Sequence, residues 1–251
     1  MTSHSGTFVE FDAAADAAAA IPSSAGQVRF VRVPAQRFLV IDGAGGPGGI
    51  AFREAMSALY PVARTLHFAL KGRALGGPIG ALEGVYWTDE ERTGAPLDEC
   101  DERRGKQAED REGRSGDSAE GAEGAEGADG PGAASFRAGD LRWRLMLPVP
   151  ADATPADIET AIAEVRARKA PAALGRVCVE TMAEGPAAQV LHVGPYEREP
   201  ATLQRLHCAI RAVGLRPCGR HHEIYLSDPN RTAPERLKVV IRQPVAVEGP
   251  G

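Results

Sequence analysis

Two long stretches of the chain share one order of hydrophobic and polar positions: an apolar run, an amphipathic helical pattern and two further apolar runs. In the first stretch, the runs Arg37–Ile41, Leu82–Thr88 and Leu141–Leu147 are of strand length and predict buried or half-buried strands. Between the first two runs, apolar residues recur every three or four positions and predict a helix buried along one stripe. This stripe consists of Phe52, Ala55, Leu59, Val62 and Leu66. Pro61 lacks the N–H that a helix interior uses, so we expect a kink or break there.

Further regular elements lie around these stretches. Val28–Val33 alternates apolar and basic residues and predicts a strand before the first stretch. Thr154 followed by Pro155 is typical of a helix start, with Thr154 as the N-cap. The apolar stripe of that helix consists of Ile158, Ala161 or Ile162, and Val165. Arg176–Glu180 and Ala188–Val193 then predict two strands that are joined through a Gly-Pro turn.

The two stretches align with each other at three places. Gly43 aligns with Gly194 at an offset of 151 residues, and the helical stripe follows at the same offset. The second stripe consists of Leu203, Leu206, Ile210 and Val213. Val85–Asp89 aligns with Ile224–Asp228 at an offset of 139, and the last strands align at an offset of 96. The falling offset indicates that the first stretch contains extra residues.

These alignments predict an α+β fold in which two pseudo-symmetric strand–helix–strand–strand repeats form one domain with a ligand cleft between them. We place repeat one at about residues 28–148 and repeat two at about 176–245, within a domain spanning 27–245. Residues 1–26 mix small and polar side chains without a period and are predicted to be a flexible arm, and 246–251 a short tail.

An acidic segment interrupts repeat one. Residues 98–136 contain repeats of Gly-Ala-Glu that carry no large apolar side chain, so the segment is predicted to be a disordered insertion. Residues 98–130 hold 12 Asp and Glu against 5 Lys and Arg, whereas the whole chain has a net charge of −5. The remainder is therefore close to neutral, which gives no basis for nucleic-acid binding.

Cysteine usage and hydropathy bear on the compartment. The four cysteines form no CxxC pair, a pattern that suits a reducing cytosol. No apolar run approaches the roughly 20 residues of a membrane span. The Ala-rich stretch near the start lacks the basic region of a signal peptide. We therefore predict a cytoplasmic protein without a membrane partner.

The sequence predicts neither a cofactor nor a metal ion. The glycine cluster Gly43–Gly49 lacks the Lys-Ser/Thr of a phosphate-binding loop, and we interpret it as a strand-to-helix turn. His221 and His222 are adjacent, so in a strand they point to opposite faces and cannot bind one metal together. No Ser/His/Asp or Cys/His nucleophile pattern stands out either.

Two motifs in the second stretch resemble one known family. Residues 191–202 read Leu-His-Val-Gly-Pro-Tyr-Glu-Arg-Glu-Pro-Ala-Thr, and residues 222–231 read His-Glu-Ile-Tyr-Leu-Ser-Asp-Pro-Asn-Arg. Both closely resemble the GyrI-like small-molecule-binding domain family, and in particular its stand-alone bacterial branch. The resemblance extends over about residues 28–245, apart from the acidic segment.

This resemblance implies two strand–helix–strand–strand repeats around a ligand cleft, as the alignment of the two stretches also predicts. Multidrug-responsive regulators of the family fuse the domain to a helix-turn-helix and bind lipophilic, often cationic compounds. Some stand-alone members hydrolyse cyclopropane-bearing DNA-alkylating natural products, and others inhibit DNA gyrase. Residues 1–26 are too short and too rich in Ala and Ser for a DNA-binding domain, so direct DNA binding is not expected. A gyrase partner has no support in the sequence.

Glu223 matches the position of the family's cleft carboxylate. Alternation along its strand places Glu223 and Tyr225 on one face, and Ile224 and Leu226 on the other. If the two apolar residues face the helices, Glu223 and Tyr225 face the cleft; a solvated strand carboxylate is the alternative. A desolvated aromatic cleft would raise the pKa of Glu223, which suits a general base or the counter-ion of a cation.

Tyr196 and His192 flank the glycine turn of the second stretch. Tyr196 occupies the family's aromatic position there, where it either packs in the core or donates a hydrogen bond to a ligand. His192 lies in the preceding strand, and its alternatives are a ligand contact or a histidine whose hydrogen bonds are satisfied in the core.

Tyr86, Trp87 and Trp143 concentrate on two strands of the first stretch. Tyr86 and Trp87 point to opposite faces, so at most one of them faces the cleft. With Trp143 they form either an aromatic wall for a planar ligand or part of the core. Tyr60 is a further candidate, from the first helix.

Two functions follow, and the residues leave both open. One is a hydrolase of strained electrophiles such as activated cyclopropanes, in which Glu223 activates water and Tyr196 or Tyr225 donates to the oxygen that gains charge. The other is a binding module that sequesters or senses a planar hydrophobic molecule without turnover.

Overall fold

The strands predicted from the two stretches lie side by side in one sheet. The structure is a computed structural model that describes residues 11–13, 22, 24–88 and 141–247. The predicted acidic insertion at 98–136 lies outside the described residues. The strands are β1 (Asp12–Ala13), β2 (Val28–Val33), β3 (Gln36–Ala44), β4 (Leu82–Thr88), β5 (Leu141–Pro148), β6 (Cys178–Met182), β7 (Gly185–Val193), β8 (Leu215–Pro217), β9 (His221–Tyr225) and β10 (Lys238–Val247). The α-helices of the described residues are α1 (Ile50–Lys71), α2 (Pro155–Arg168) and α3 (Glu199–Ala212).

The order of strands across the sheet is β1-β2-β7-β10-β9-β4-β5-β3-β6, with β8 on the free end of β10. All pairs are antiparallel except β1 with β2. The predicted α+β class is therefore confirmed. From the central β9–β4 pair outward, both halves have the same order of strands. The strand that follows the helix comes first, then the last strand of that half, and then its first strand. Two strand–helix–strand–strand repeats would give this order. That the two halves are structurally equivalent stays a prediction.

Helix α1 buries the stripe that its sequence pattern predicts. Phe52, Ala55, Leu59, Val62 and Leu66 are all buried against β3, β5 and α2. The helix continues through Pro61 from residue 50 to residue 71, so the predicted break does not occur. The apolar stripe supplies the packing that holds the helix together across the missing donor.

Helix α2 begins at the predicted N-cap. The hydroxyl of Thr154 accepts a hydrogen bond from the N–H of Asp157 at 3.2 Å, and the Asp157 carboxylate accepts from the N–H of Thr154 at 2.9 Å. This reciprocal capping box satisfies two donors that the helix start would otherwise leave open. Ile158, Ala161 and Val165 are buried, as the pattern predicts.

Gly43 is the point where the first strand of repeat one passes Trp143. A Cβ at this glycine would lie 2.1 Å from the Trp143 ring, so the close approach excludes any side chain. The indole is fully buried against Phe52 of α1 and donates to the carbonyl of Gly45 at 3.1 Å. The glycine turn thus fixes the first strand to the helix that follows it.

The termini of the sheet differ from the sequence interpretation. Asp12–Ala13 pairs in parallel with Val31 and Arg32, so part of the predicted flexible arm adds a strand. Strand β10 continues to Val247, into the predicted tail, where it pairs with the unpredicted strand β8. No helix of the described residues is long and apolar enough to span a membrane.

Candidate ligand-binding and active site

A buried polar cluster lies on the helix-covered face of the two central strands. Tyr225 of β9 and Tyr86 of β4 belong to the same core cluster as the stripe of α1. Glu223, two residues before Tyr225, projects to this face and is fully buried. Ile224 packs with Leu191 and Val240 on the opposite face, which we call the reverse face.

The condition that Ile224 and Leu226 face the helices is not met. Alternation along β9 correctly pairs Glu223 with Tyr225, but it cannot tell which face the helices cover. The carboxylate can be buried on the helix-covered face because neighbouring side chains donate hydrogen bonds to it. The solvated strand carboxylate is excluded for the same reason.

Two side chains of β9 donate hydrogen bonds to Glu223. The hydroxyl of Tyr225 donates to Oε2 at 2.7 Å, and Nε2 of His221 lies 2.8 Å from Oε1. The hydroxyl of Tyr86 hydrogen bonds in turn to that of Tyr225. Gly84 gives the Tyr86 ring its space, because a Cβ there would lie 2.7 Å from the Tyr86 hydroxyl oxygen.

Glu199 completes the cluster from the first turn of α3. It is 4% exposed, and among the described residues no protein donor reaches either of its oxygens. Its carboxyl instead lies near that of Glu223, with a ligand oxygen of each within 4.8 Å of the other. Two buried carboxyls this close favour a proton on one of them.

The pKa values of the two carboxyls follow from this arrangement. Burial and the charge of Glu223 raise the pKa of Glu199 well above its usual range. Burial also raises the pKa of Glu223 to about 7, against the opposing hydrogen bonds from Tyr225 and Glu199. At neutral pH the pair holds one or two protons, and each carboxyl can take a different role.

The same cluster has the spacing of a metal site. Glu199, His221 and Glu223 each offer one ligand atom, and these atoms lie within 4.8 Å of one another. A cation and a shared proton are alternative ways of compensating two buried carboxylates. The raised pKa values of the two carboxyls correspond to the shared proton.

Tyr196 and Tyr60 extend the site towards solvent. Tyr196 lies in a 3₁₀ turn, Tyr196–Arg198, directly before α3, and its pKa is raised by burial and by the nearby carboxylates of Glu223, Glu199 and Asp228. Tyr60 of α1 is 38% exposed, and burial together with Asp228 raises its pKa. Tyr86, Tyr196 and Tyr225 therefore lie around the carboxyls, whereas Tyr60 is linked to this region only through Asp228.

The remaining predicted residues are placed less favourably for a ligand. Trp87 lies on the reverse face with Phe38 and Met146, so of the Tyr86–Trp87 pair only Tyr86 reaches the cluster. Trp143 is on the helix-covered face but is wholly buried. His192 has both ring nitrogens engaged, with the Thr202 hydroxyl at 3.0 Å and the carbonyl of Pro195 at 3.1 Å. These contacts favour the alternative in which His192 is a core histidine with satisfied hydrogen bonds.

Glu199 and His221 are the functional candidates that sequence reasoning missed. An acidic residue in the first turn of a helix is ordinarily an exposed partner of the helix dipole, so Glu199 gave no signal of burial. The available signal for His221 was its spacing of two from Glu223, which puts both on one face of a strand.

Comparisons with known proteins support the fold. The family described as GyrI-like small molecule binding domain matches residues 149–246, which include Tyr196, Glu199, Glu223 and Tyr225. An uncharacterized conserved protein of Listeria innocua is 25% identical with a TM-score of 0.67, covering 89% of this chain and 94% of that one. A hydrolase of the same bacterium is 25% identical with a TM-score of 0.65, with the same coverage. No curated protein matches the sequence significantly. The predicted resemblance is confirmed.

Proposed function

We propose that this chain, which carries a GyrI-like small molecule binding domain over residues 149–246, binds a planar hydrophobic electrophile beside Glu199 and Glu223 and hydrolyses it. The substrate class is an activated cyclopropane such as that of a DNA-alkylating natural product. The observation that carries the proposal is the carboxyl pair: two buried acids close together, Glu223 with its pKa raised to about 7 and Glu199 with its pKa raised well above the usual range.

Glu223 is the general base of the proposed reaction. Its pKa of about 7 matches the pH at which a base must both accept and release a proton efficiently. His221 and Tyr225 hold the two carboxylate oxygens in fixed directions. In the proposed reaction this carboxylate orients and activates a water molecule.

Glu199 is the general acid. Its raised pKa keeps it protonated at neutral pH, so it can donate to an oxygen on which negative charge develops. Tyr196, beside the same carboxylates, offers a second donor of high pKa. Tyr225 acts differently from the sequence expectation, because its hydroxyl is occupied with Glu223.

The reaction balances with water as the only co-reactant. Glu223 takes a proton from water as the water oxygen forms a bond to a ring carbon. The strained C–C bond breaks, and its electron pair passes through the conjugated system to a carbonyl oxygen, which takes the proton of Glu199. Proton transfer from Glu223 to Glu199 then restores the pair.

One further observation supports hydrolysis over binding alone. A structure of 25% identity that covers most of both chains is that of a hydrolase. The tyrosines around the carboxyls provide flat, partly polar walls that suit a planar conjugated ligand under either function.

Chromatography and mass spectrometry of a cyclopropane-bearing DNA alkylator test the proposal. Wild type should yield a product heavier by one water, and Glu223→Gln should bind the compound without forming product. Chelation with EDTA should leave the wild-type rate unchanged, since a shared proton rather than a metal compensates the pair. A compound that raises the melting temperature but stays intact with wild type would identify a binding module instead.

A further inference from the structure

Glu199, His221 and Glu223 combine the donor atoms and the spacing of a metal centre. Each offers one ligand atom, and the three atoms lie within 4.8 Å of one another. Nε2 of His221 is already 2.8 Å from Oε1 of Glu223. Two ligand atoms of a tetrahedral Zn²⁺ lie about 3.4 Å apart when each bond is about 2.1 Å long. Small side-chain rotations therefore bring the three atoms to bonding distance of one ion.

Glu199 supplies the observation that points to a ligand. It is 4% exposed, and within the part of the chain that the structure describes neither of its oxygens has a hydrogen-bond partner. A proton removes the charge of this carboxyl but leaves its C=O acceptor without a donor, and a buried polar atom without a partner costs free energy. A metal ion bound to that oxygen replaces both the proton and the missing donor.

Glu223 and His221 are held in directions that suit ligands. The hydroxyl of Tyr225 donates to Oε2 of Glu223 at 2.7 Å, so Oε1 is the oxygen on the side of His221. Ligating carboxylates are ordinarily oriented by such an outer hydrogen bond. The neutral imidazole of His221 would bind the ion through Nε2, in place of its contact with Oε1.

The donor set selects the kind of metal. Mg²⁺ and Ca²⁺ prefer oxygen ligands alone, whereas an imidazole nitrogen suits Zn²⁺ and its transition-metal neighbours. Three protein ligands leave the fourth tetrahedral position of Zn²⁺ for water. Two carboxylates and a neutral histidine also balance the double charge of the ion.

The charged groups around the cluster are compatible with a dication. His222 faces the other way, where it forms the reverse-face network with Glu83 at 2.9 Å and Glu184 at 2.8 Å. Its positive charge is therefore compensated by two carboxylates of its own. Burial lowers the pKa of His207, a neighbour of His221 on α3, to about 4, so this imidazole is neutral at pH 7.

The cluster is within reach of solvent. The side chain of His221 is 11% exposed, and it follows the exposed residue Arg220 at the start of β9. Glu199 follows the exposed residues Glu197 and Arg198 at the start of α3. An ion can therefore enter between the beginnings of these two elements.

We propose that Glu199, His221 and Glu223 bind one Zn²⁺ ion, which takes the place of the shared proton and blocks the carboxyl pair. The metal-free form that shares the proton is then the active one. Zinc binding depends only on the three ligands and stands even if the protein hydrolyses nothing. The block alone rests on the proposed function.

Competition against a chromophoric zinc indicator tests the site. Wild type that has been treated with EDTA and freed of it should take up one Zn²⁺ per chain, and Mg²⁺ or Ca²⁺ should not compete. Glu199→Gln, His221→Gln and Glu223→Gln should each weaken uptake by about a hundredfold or more, because loss of an outer-shell partner alone costs about 10–100-fold. Zn²⁺ should also raise the melting temperature of wild type but not that of the three variants.

Glu197→Gln and His67→Gln are the matched controls, since they remove a carboxylate and an imidazole outside the cluster. Both should bind Zn²⁺ as wild type does, and melting curves without metal show which variants are folded. The proposal is overturned if wild type takes up no Zn²⁺ at micromolar concentrations. It is also overturned if the three ligand variants bind as tightly as wild type, or if a control change abolishes binding.

The activity assay separates this inference from the proposed hydrolysis. One equivalent of Zn²⁺ should stop product formation from the cyclopropane-bearing alkylator, and EDTA should restore it. Zinc uptake at the three residues together with an inactive metal-free protein would support the metal site and refute the hydrolysis. Hydrolysis at the full rate with bound Zn²⁺ would show that the ion does not occupy the carboxyl pair, which overturns the inference.

Discussion

Tyr86 and Tyr225 hydrogen bond to each other through their hydroxyls, although 139 residues separate them along the chain. The same number is the offset at which the middle strands of the two sequence repeats align. Each half of the sheet thus contributes one phenol from the corresponding strand position. Only Tyr225 goes on to donate to Glu223, because Gly84 occupies the position that corresponds to the carboxylate.

Replacing Tyr225 with Phe should move the acid limb of the hydrolysis profile to higher pH. The hydrogen bond from Tyr225 stabilises the charged form of Glu223 and so lowers its pKa; without it the pKa rises. Below neutral pH we expect roughly a tenfold loss of kcat/KM, the size of one hydrogen bond to a charged group. Tyr86→Phe is the control and should shift the profile less, since the hydroxyl of Tyr86 bonds to that of Tyr225 rather than to Glu223. An acid limb that keeps its position or moves to lower pH in Tyr225→Phe would contradict this role.

Glu199→Gln should remove the alkaline limb of the same profile. Wild-type activity rises as Glu223 loses its proton near pH 7 and falls at higher pH as Glu199 loses its own. The glutamine amide still donates but does not titrate, so the decline at high pH should disappear. We expect the maximal rate to fall by about a hundredfold, because an amide cannot transfer a proton. Glu197→Gln, an exposed neighbour, should behave as wild type; equal effects of the two changes would argue against a specific acid.

The reverse-face network should make stability depend on pH through His222. Burial disfavours its charge, but Glu184 and Glu83 outweigh burial and raise its pKa to about 9. Since this value lies above that of the unfolded chain, the stabilisation is complete below about pH 6.5 and is lost as the pH rises through 9. The loss is on the order of 3 kcal/mol in the free energy of unfolding. Urea unfolding of wild type and His222→Gln at several pH values measures it, and parallel curves for the two proteins would refute it.

Gly43→Ala should destabilise the fold more than an ordinary glycine replacement. The new methyl group would collide with the Trp143 ring, which has no free space because it packs on Phe52. We expect a loss of about 3 kcal/mol in the free energy of unfolding, at the upper end for overpacked cores. Gly175→Ala is the control, since a Cβ there meets no atom within 4 Å. Urea denaturation that shows equal stability for the two variants would contradict the close packing at Gly43.

The sequence pattern predicts the elements of the fold well, and the physical reason is their periodicity. The stripe of α1 and the alternation along β9 depend only on which residues share a face, and the structure confirms both. The sequence pattern does not predict which side of the sheet the helices cover. It depends on which face of the sheet the apolar stripes of the helices pack against, and alternation along a single strand does not contain that information.

The candidate site is therefore predictable in part. Glu223 and Tyr225 follow from the motif and from alternation, and Tyr86 follows from its place on the matching strand. Glu199 does not, because its burial results from the packing of α3 over the sheet and leaves no trace in composition or spacing. The face that Trp87 takes is not predictable either, because an aromatic side chain fits either face of a strand, and here it packs on the reverse one.

The central claim is that the carboxyl pair of Glu199 and Glu223 activates a water molecule. A single turnover of a cyclopropane-bearing DNA alkylator in oxygen-18-labelled water, followed by mass spectrometry of product and protein, tests it most directly. We predict that wild type places one labelled oxygen in the ring-opened product, that the protein gains no mass, and that Glu223→Gln forms no product. Labelled product formed equally by Glu223→Gln, or an alkylated wild-type protein in place of product, would contradict the claim.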